Sequence, residues 1–178
     1  MRIIAGFYKN RRVDFKNLNI RPTTNFAKES LFNILNNQYD LEKTCVLDLF
    51  AGSGSISYEF ISRGCKTVIA VDNNRKCVGF MKSVKDKLKI NNLTIQLSSV
   101  HSFLRKNNIC YDIVFLDPPY NYKQAEYNLI LKNIFTKNIM NKNGVVVIEH
   151  SRLINFEEHS MFLNTKKYGR VHFTFFKR

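Results

Sequence analysis

The 178-residue sequence has no tryptophan, only three prolines and seven glycines, and no apolar run approaching the roughly 20 residues that span a bilayer. The missing run argues against a membrane protein. The N-terminus also lacks the basic-then-apolar pattern of a secretory signal, so a soluble, cytoplasmic chain is expected. The four cysteines, Cys45, Cys65, Cys77 and Cys110, include no close pair of the kind that binds zinc or exchanges disulfides. They read as small buried side chains. His101, His150, His159 and His172 form no ligand-spaced cluster, so they read as structural or solvated and no metal site is expected. Gly-Lys-Ser and Gly-Lys-Thr are absent, which disfavours a P-loop nucleotidase. Acids are scarce as well: 14 Asp and Glu stand against 28 Lys and Arg, for a formal net charge of +14.

Such an excess attracts polyanions. Coding bias toward Lys, Asn and Ile accounts for part of it as a solvated surface, but its distribution is uneven. Residues 1–21 hold Arg2, Lys9, Arg11, Arg12, Lys16 and Arg21 against the single acid Asp14, and the C-terminal stretch adds Lys166, Lys167, Arg170, Lys177 and Arg178. This points to a nucleic-acid surface. A hydrophobic share of 44% without low-complexity tracts argues for a packed core, and the length suits one domain without metal or disulfide staples.

Apolar strand-like runs alternate with amphipathic helical stretches, the pattern of a parallel sheet covered on both faces. A helix is expected over 25–37, behind the capping candidates Thr24 and Asn25. The first core strand is Val46 to Phe50, followed by a turn and a helix over about 55–63. A second strand runs from Thr67 to Val71 and ends at Asp72. The helix after it carries Cys77, Met81, Val84 and Leu88 on one face. Further strands are expected at 94–97, 112–116 and 145–149, with a helix at 125–135. A closing antiparallel hairpin (161–167 with 171–176) turns at Tyr168-Gly169-Arg170. The opening segment reads as a second hairpin, Arg2 to Ala5 pairing with about 11–15. The economical division is one domain over 1–178, with a basic hairpin extension (1–21) on a core (22–178).

Ligands of open α/β sheets bind beyond the carboxyl ends of strands. There the sequence carries Asp48-Leu49-Phe50-Ala51-Gly52-Ser53-Gly54, an acid followed by a glycine turn that lets a ligand approach the backbone. Asp72, followed by Asn73, is placed for a ribose. The dinucleotide pattern fails at its third glycine, where Ser57 stands. A ligand with a ribose and an amino-acid end but no phosphate fits better, and S-adenosylmethionine has that make-up. Its ammonium would pair with Asp48. Asp117-Pro118-Pro119-Tyr120 is the most specific signal, a tetrapeptide expected by chance on the order of once in a thousand such chains. It suits methylation of an exocyclic amine. Asp117 accepts one N–H and the Pro118 carbonyl the other, with the prolines fixing where that carbonyl points, and Tyr120 offers a ring for stacking on the base.

These segments resemble the bacterial 16S ribosomal RNA guanine-N2 methyltransferases that modify guanine 966. The resemblance rests on Arg2 to Gly6, Arg21 to Thr24 with Glu29 to Asn33, the Asp48 to Gly54 loop, Asp117 to Tyr120, and the closing hairpin at Tyr168-Gly169. It implies a Rossmann-like class I methyltransferase sheet of seven strands, S-adenosylmethionine as donor, and 16S rRNA in the assembling or assembled 30S subunit as partner. It also implies contacts to the cofactor from Ser99 and Val100, and an N-terminal hairpin and Arg21 beside the substrate opening. A monomer is expected. Two other readings stay open: an enzyme for another exocyclic amine, in DNA adenine or a different RNA, and a non-catalytic RNA-binding assembly factor.

Overall fold

The computed structural model describes residues 2–14, 18 and 24–177. In chain order the elements are α1 (Asn25–Gln38), β1 (Cys45–Leu49), α2 (Ser55–Ser62), β2 (Thr67–Asp72), α3 (Arg75–Leu88), β3 (Leu93–Leu97), α4 (Val100–Lys106), β4 (Tyr111–Leu116), α5 (Gln124–Thr136), β5 (Met140–His150), β6 (Phe162–Tyr168) and β7 (Val171–Lys177). A short 3₁₀ turn, Leu41–Lys43, leads into β1.

The strands form one seven-stranded sheet in the order β3-β2-β1-β4-β5-β7-β6. The first five are parallel, while β7 runs antiparallel between β5 and the edge strand β6. The expected α/β fold with a closing hairpin is therefore present. Strand order reverses between β1 and β4, the switch point at which such sheets bind ligands.

Because successive strand side chains leave opposite faces, the apolar strands divide into two cores. Val46, Val68, Ala70, Ile113, Phe115, Val145 and Val147 pack against α1, α2 and α3. Their alternates Leu47, Leu49, Val71, Val114, Leu116, Val146 and Ile148 pack against α4 and α5. Helix starts follow their caps: Thr24 accepts from the Ala27 N–H at 3.2 Å and Asn74 from the Lys76 N–H at 2.9 Å.

All eight residues of α2 are buried, so its polar side chains need internal partners. Glu59, fully buried, accepts from the backbone N–H groups of Ile4 (2.9 Å) and Ala5 (3.1 Å). It also pairs with Lys28 Nζ at 3.3 Å and Arg63 Nε at 3.0 Å. Ser62 continues the seam, its hydroxyl donating to the Ala5 carbonyl and accepting from the Tyr8 N–H. Gly6 passes so close that a Cβ there would lie 1.7 Å from the Ser62 carbonyl oxygen, and its φ is +80°. Only glycine fits that position.

Several expectations are corrected. The opening hairpin is shorter than expected: among the described residues Arg2 and Arg12 make an antiparallel bridge, flanked by Ile3 N–H to Arg11 O (3.1 Å) and Asn10 N–H to Ile3 O (2.9 Å), so Arg2 and Ile3 pair with residues 10–12 rather than Arg2 to Ala5 with 11–15. The segment packs on α2, which supplies the partners a longer ladder would have supplied. Helix α4 was not anticipated, because its seven residues bury only Val100 and Leu104, too few to show a period. β5 begins five residues early, through Met140 and the polar Asn141 to Asn143, with a register shift opposite Tyr111 and Ile113. Cys65 and Cys77 are buried as expected, but Cys110 is exposed.

Glu59→Ala, which leaves the Lys28 ammonium buried without its carboxylate, should lower stability by about 3–5 kcal/mol. Lys28→Met combined with Glu59→Leu should recover part of that loss. Urea denaturation of the three proteins measures both effects.

Candidate active site

A cleft of ≈ 370 Å³ opens beyond the carboxyl ends of β1, β2 and β4. Backbone hydrogen bonds extend the strand pairing into its walls: Ala51 N–H reaches Val71 O at 3.0 Å and Asp117 N–H reaches Leu49 O at 3.3 Å. The glycine turn, Asp72 and the Asp-Pro-Pro-Tyr segment are thereby held side by side. The turn uses left-handed backbone at Phe50 (φ 62°), Gly52 (φ 55°) and Gly54 (φ 80°). For Phe50 that conformation carries strain, which the surrounding pairing maintains.

Three acids, Asp48, Asp72 and Asp117, line the cleft, and among the described residues no Lys, Arg or His joins them in the lining. Asp48 is buried and accepts a hydrogen bond from the Ser57 hydroxyl of α2. Burial pushes its carboxyl up to about 7, opposed by the Ser57 hydrogen bonds and aided by the charge of Asp72. Asp72 accepts from the Gly52 N–H at 2.7 Å and the Asn74 N–H at 2.8 Å, so it braces the glycine turn while facing the cavity. The Ser55 hydroxyl, also in the lining, is buried and has no hydrogen-bond partner among the described residues. A polar group of a ligand, or a water in the cleft, would satisfy it.

Asp117 is half-buried at the end of β4. Burial first, then the neighbouring carboxylates of Glu149 and Asp48, hold its carboxyl well above the usual range. In the loop that follows, the Pro119 carbonyl accepts from the Tyr122 N–H at 2.9 Å, whereas the Pro118 carbonyl takes no hydrogen bond among the described residues. Tyr120 is 61% exposed at the mouth. Edge-to-face contacts run from Phe50 to Tyr122 (5.3 Å), Tyr122 to Tyr127 (5.8 Å) and Tyr127 to Phe156 (5.6 Å). They lock the loop after the motif against the glycine turn.

The structure thus brings Asp48, Phe50, Ala51, Gly52, Ser53, Asp72, Asn73 and Asp117 to Tyr120 to one cavity. Gly54 is not in the lining. It sits behind the turn, where a Cβ would meet the Tyr58 ring at 2.8 Å. Ser99 and Val100 are not in the lining either, since Ser99 caps α4 through the Ser102 N–H at 3.2 Å and Val100 packs in the core. Sequence reasoning missed Ser55, Ile56, Asn74, Cys77 and Phe115 as lining residues. It also took Glu149 only as the end of a strand, although an acid closing the run Val145 to Ile148 was a readable signal.

Arg2, Lys9, Arg11 and Arg12 are exposed. Arg11 and Arg12 border a groove completed by Phe80, Ser83 and Lys87 of α3, rather than the cleft itself. Arg21 lies outside the described residues.

A family model described as Conserved hypothetical protein 95 matches residues 1–177. A Buchnera aphidicola protein named ribosomal RNA small subunit methyltransferase D is 33% identical, the match covering 99% of this chain and 91% of that one. Among solved structures, a Haemophilus influenzae protein provisionally named a methylase superposes with a TM-score of 0.80 at 26% identity, covering 98% and 96% of the two chains. Magnesium protoporphyrin IX methyltransferase from Synechocystis, solved with S-adenosylmethionine bound, shares the fold at 15% identity and a TM-score of 0.68, covering 86% and 79%. By the match over its length and by its fold, the chain belongs to the Conserved hypothetical protein 95 family, that of the ribosomal RNA small subunit methyltransferase D proteins, within the class I methyltransferases.

Proposed function

We propose that this chain is a monomeric, cytoplasmic S-adenosylmethionine-dependent methyltransferase that modifies the exocyclic N2 amine of a guanine in 16S rRNA, within the assembling or assembled 30S subunit. One catalytic domain (22–178) carries the basic extension (1–21). The observation that carries this reading is a cleft whose charged lining residues, among those described, are all acids, in a protein of net charge +14, opening directly onto Asp117-Pro118-Pro119-Tyr120. Such a cavity suits a cationic amino-acid ligand and disfavours a phosphate-bearing one. The ribosomal RNA named in relatives such as that of Buchnera aphidicola supports the choice of substrate.

The residues present fit S-adenosylmethionine. Asp48 would receive its ammonium, Asp72 its ribose, and the Ser55 hydroxyl offers a further hydrogen bond. When bound, the cofactor supplies an electrophilic methyl group. The protein's task is to orient a weak nucleophile, an amine whose lone pair is delocalised into the base. Asp117 and the Pro118 carbonyl accept its two N–H bonds, hold the nitrogen toward a pyramidal geometry and aim the lone pair into the cleft. Tyr120 stacks on the base. The nitrogen must lose a proton after transfer, and Asp117, whose proton affinity is raised by burial and by its acidic neighbours, is placed to receive it.

Labelled methyl transfer to unmodified 30S subunits, free 16S RNA and duplex DNA, with identification of the modified nucleoside, tests the reading. N2-methylguanosine is expected; methyladenine, or cofactor binding without product, would move the protein to one of the other readings. In the same assay Asp117→Ala should lose about 10²-fold or more in rate while still binding S-adenosylhomocysteine.

The raised carboxyl of Asp48 makes ligand binding pH-dependent. An ammonium pairs with the charged form, so protonation competes with binding. Affinity for S-adenosylhomocysteine, which keeps the ammonium, should be level above about 7 and weaken as pH falls below it. Calorimetric titration of the wild type and of Asp48→Asn, in which this dependence should shrink to what Asp117 contributes, measures the effect.

Reversing Arg11 and Arg12 to Glu should weaken RNA binding most at low salt. The slope of log affinity against log salt should shrink by roughly 0.7–0.9 for each phosphate the protein no longer neutralises. An unchanged slope in filter binding would leave the groove beside α3 as a solvated face.

A further inference from the structure

We infer that Glu149 selects guanine: its carboxylate accepts the ring N1–H of the target base while Asp117 and the Pro118 carbonyl hold the neighbouring amine. The inference rests on the methyltransferase reading above and names a specificity residue for it.

Three observations converge. β4 and β5 are parallel neighbours with Leu116 opposite Ile148, so Asp117 and Glu149 are the next residues on adjacent strands. By the pleat both follow the face of Ile113, Phe115, Val145 and Val147, the same face to which Asp48 belongs. Finally, both acids line a second crevice with Pro118, Tyr120, Tyr122 and His150, and Asp117, Pro118 and Tyr120 line the main cleft as well. The motif therefore forms a shared wall, with the cofactor cleft on one side and Glu149 on the other. Glu149 is 7% exposed, and its charge is close enough to raise the Asp117 carboxyl.

The chemistry of the bases gives this pair a meaning. In guanine the 2-amine is flanked by N1–H, a donor. In adenine and cytosine the exocyclic amine is flanked by a ring nitrogen that carries a lone pair. A carboxylate beside the amine-holding group thus meets a donor only in guanine, and in the other bases it faces a lone pair. A carboxylate oxygen set at hydrogen-bond distance from a ring lone pair is repelled by it, so a site built to accept a donor from one edge rejects the base that presents an acceptor there. His150 takes no part in this edge, since its ring nitrogens are engaged by Ser151 O (2.8 Å) and Thr174 Oγ1 (2.7 Å).

The test replaces the methylated guanine of reconstituted 30S subunits by 2-aminopurine, which keeps the 2-amine but presents a lone pair at N1. Wild-type protein should prefer guanine by about 10²-fold or more in kcat/KM. Glu149→Gln, whose amide can turn its NH₂ toward that lone pair, should slow guanine transfer and narrow the preference by about tenfold, with S-adenosylhomocysteine affinity unchanged. A Gln variant that binds cofactor normally and keeps the full preference overturns the inference. Glu149→Asp supplies a second check should the Gln variant fail to fold: it keeps the charge but withdraws it by one methylene, so it should slow guanine transfer while retaining the preference. An undiminished rate would overturn the inference too. If the wild type transfers methyl to neither substrate, the methyltransferase reading itself fails.

Discussion

A single buried carboxylate, Glu59, joins the parts of this molecule that the sheet does not. It accepts from two backbone N–H groups of the N-terminal segment, from Lys28 of α1 and from Arg63 at the end of α2. Removing such a charge from water costs several kcal/mol unless every lone pair finds a donor, and here the donors come from three separate stretches of chain. None can move away without exposing the others to that cost. The helix that carries Glu59 begins at the glycine turn, and its Ser57 hydroxyl holds Asp48. The basic segment, held at Glu59 and Ser62, and the cleft, reached from Ser55 and Ser57, are therefore fixed to one eight-residue helix, within about 10 Å along its axis.

The second organising feature is electrostatic contrast. The exterior is strongly basic, while Asp48, Asp72 and Asp117 line the cleft and Glu149 borders it. Surface charge is screened over about 8 Å at physiological salt, whereas buried carboxylates are screened far less. The two fields can therefore coexist within one small domain. Such a contrast would draw a polyanion to the outside and a cation to the interior, as the proposed methyl transfer from a sulfonium donor to RNA requires. The same crowding of acids raises the proton affinity of Asp48 and Asp117, and it makes a cationic ligand the natural neutraliser of the cleft.

Much of the fold was legible because its signals are local. Strands buried on both faces read as continuous apolar runs, and β1, β2 and β4 fell within a residue of their expected limits. Thr24 capped α1 as its position suggested. Elements too short or too polar to carry a period escaped, namely α4 with two buried positions and the polar start of β5. The opening hairpin is shorter than its sequence suggests, because Ile4 and Ala5 give their backbone N–H groups to Glu59 of α2 rather than to a facing strand, a choice that no local pattern encodes.

The sequence by itself determined the α/β pattern, the basic surface, and the chemical identity of the cleft through the glycine turn and Asp-Pro-Pro-Tyr, since those signals reside in contiguous residues. Tertiary structure alone decided which neighbours complete them. The Glu59 cluster draws on residues 4, 5, 28, 59 and 63, and the pairing of Asp117 with Glu149 follows from β4 and β5 lying side by side. It also places Gly54 behind the glycine turn, the Ser99 hydroxyl at the cap of α4 and the Val100 side chain in the core. Such assignments depend on strand order, register and burial, which arise from long-range packing that no local run of residues encodes.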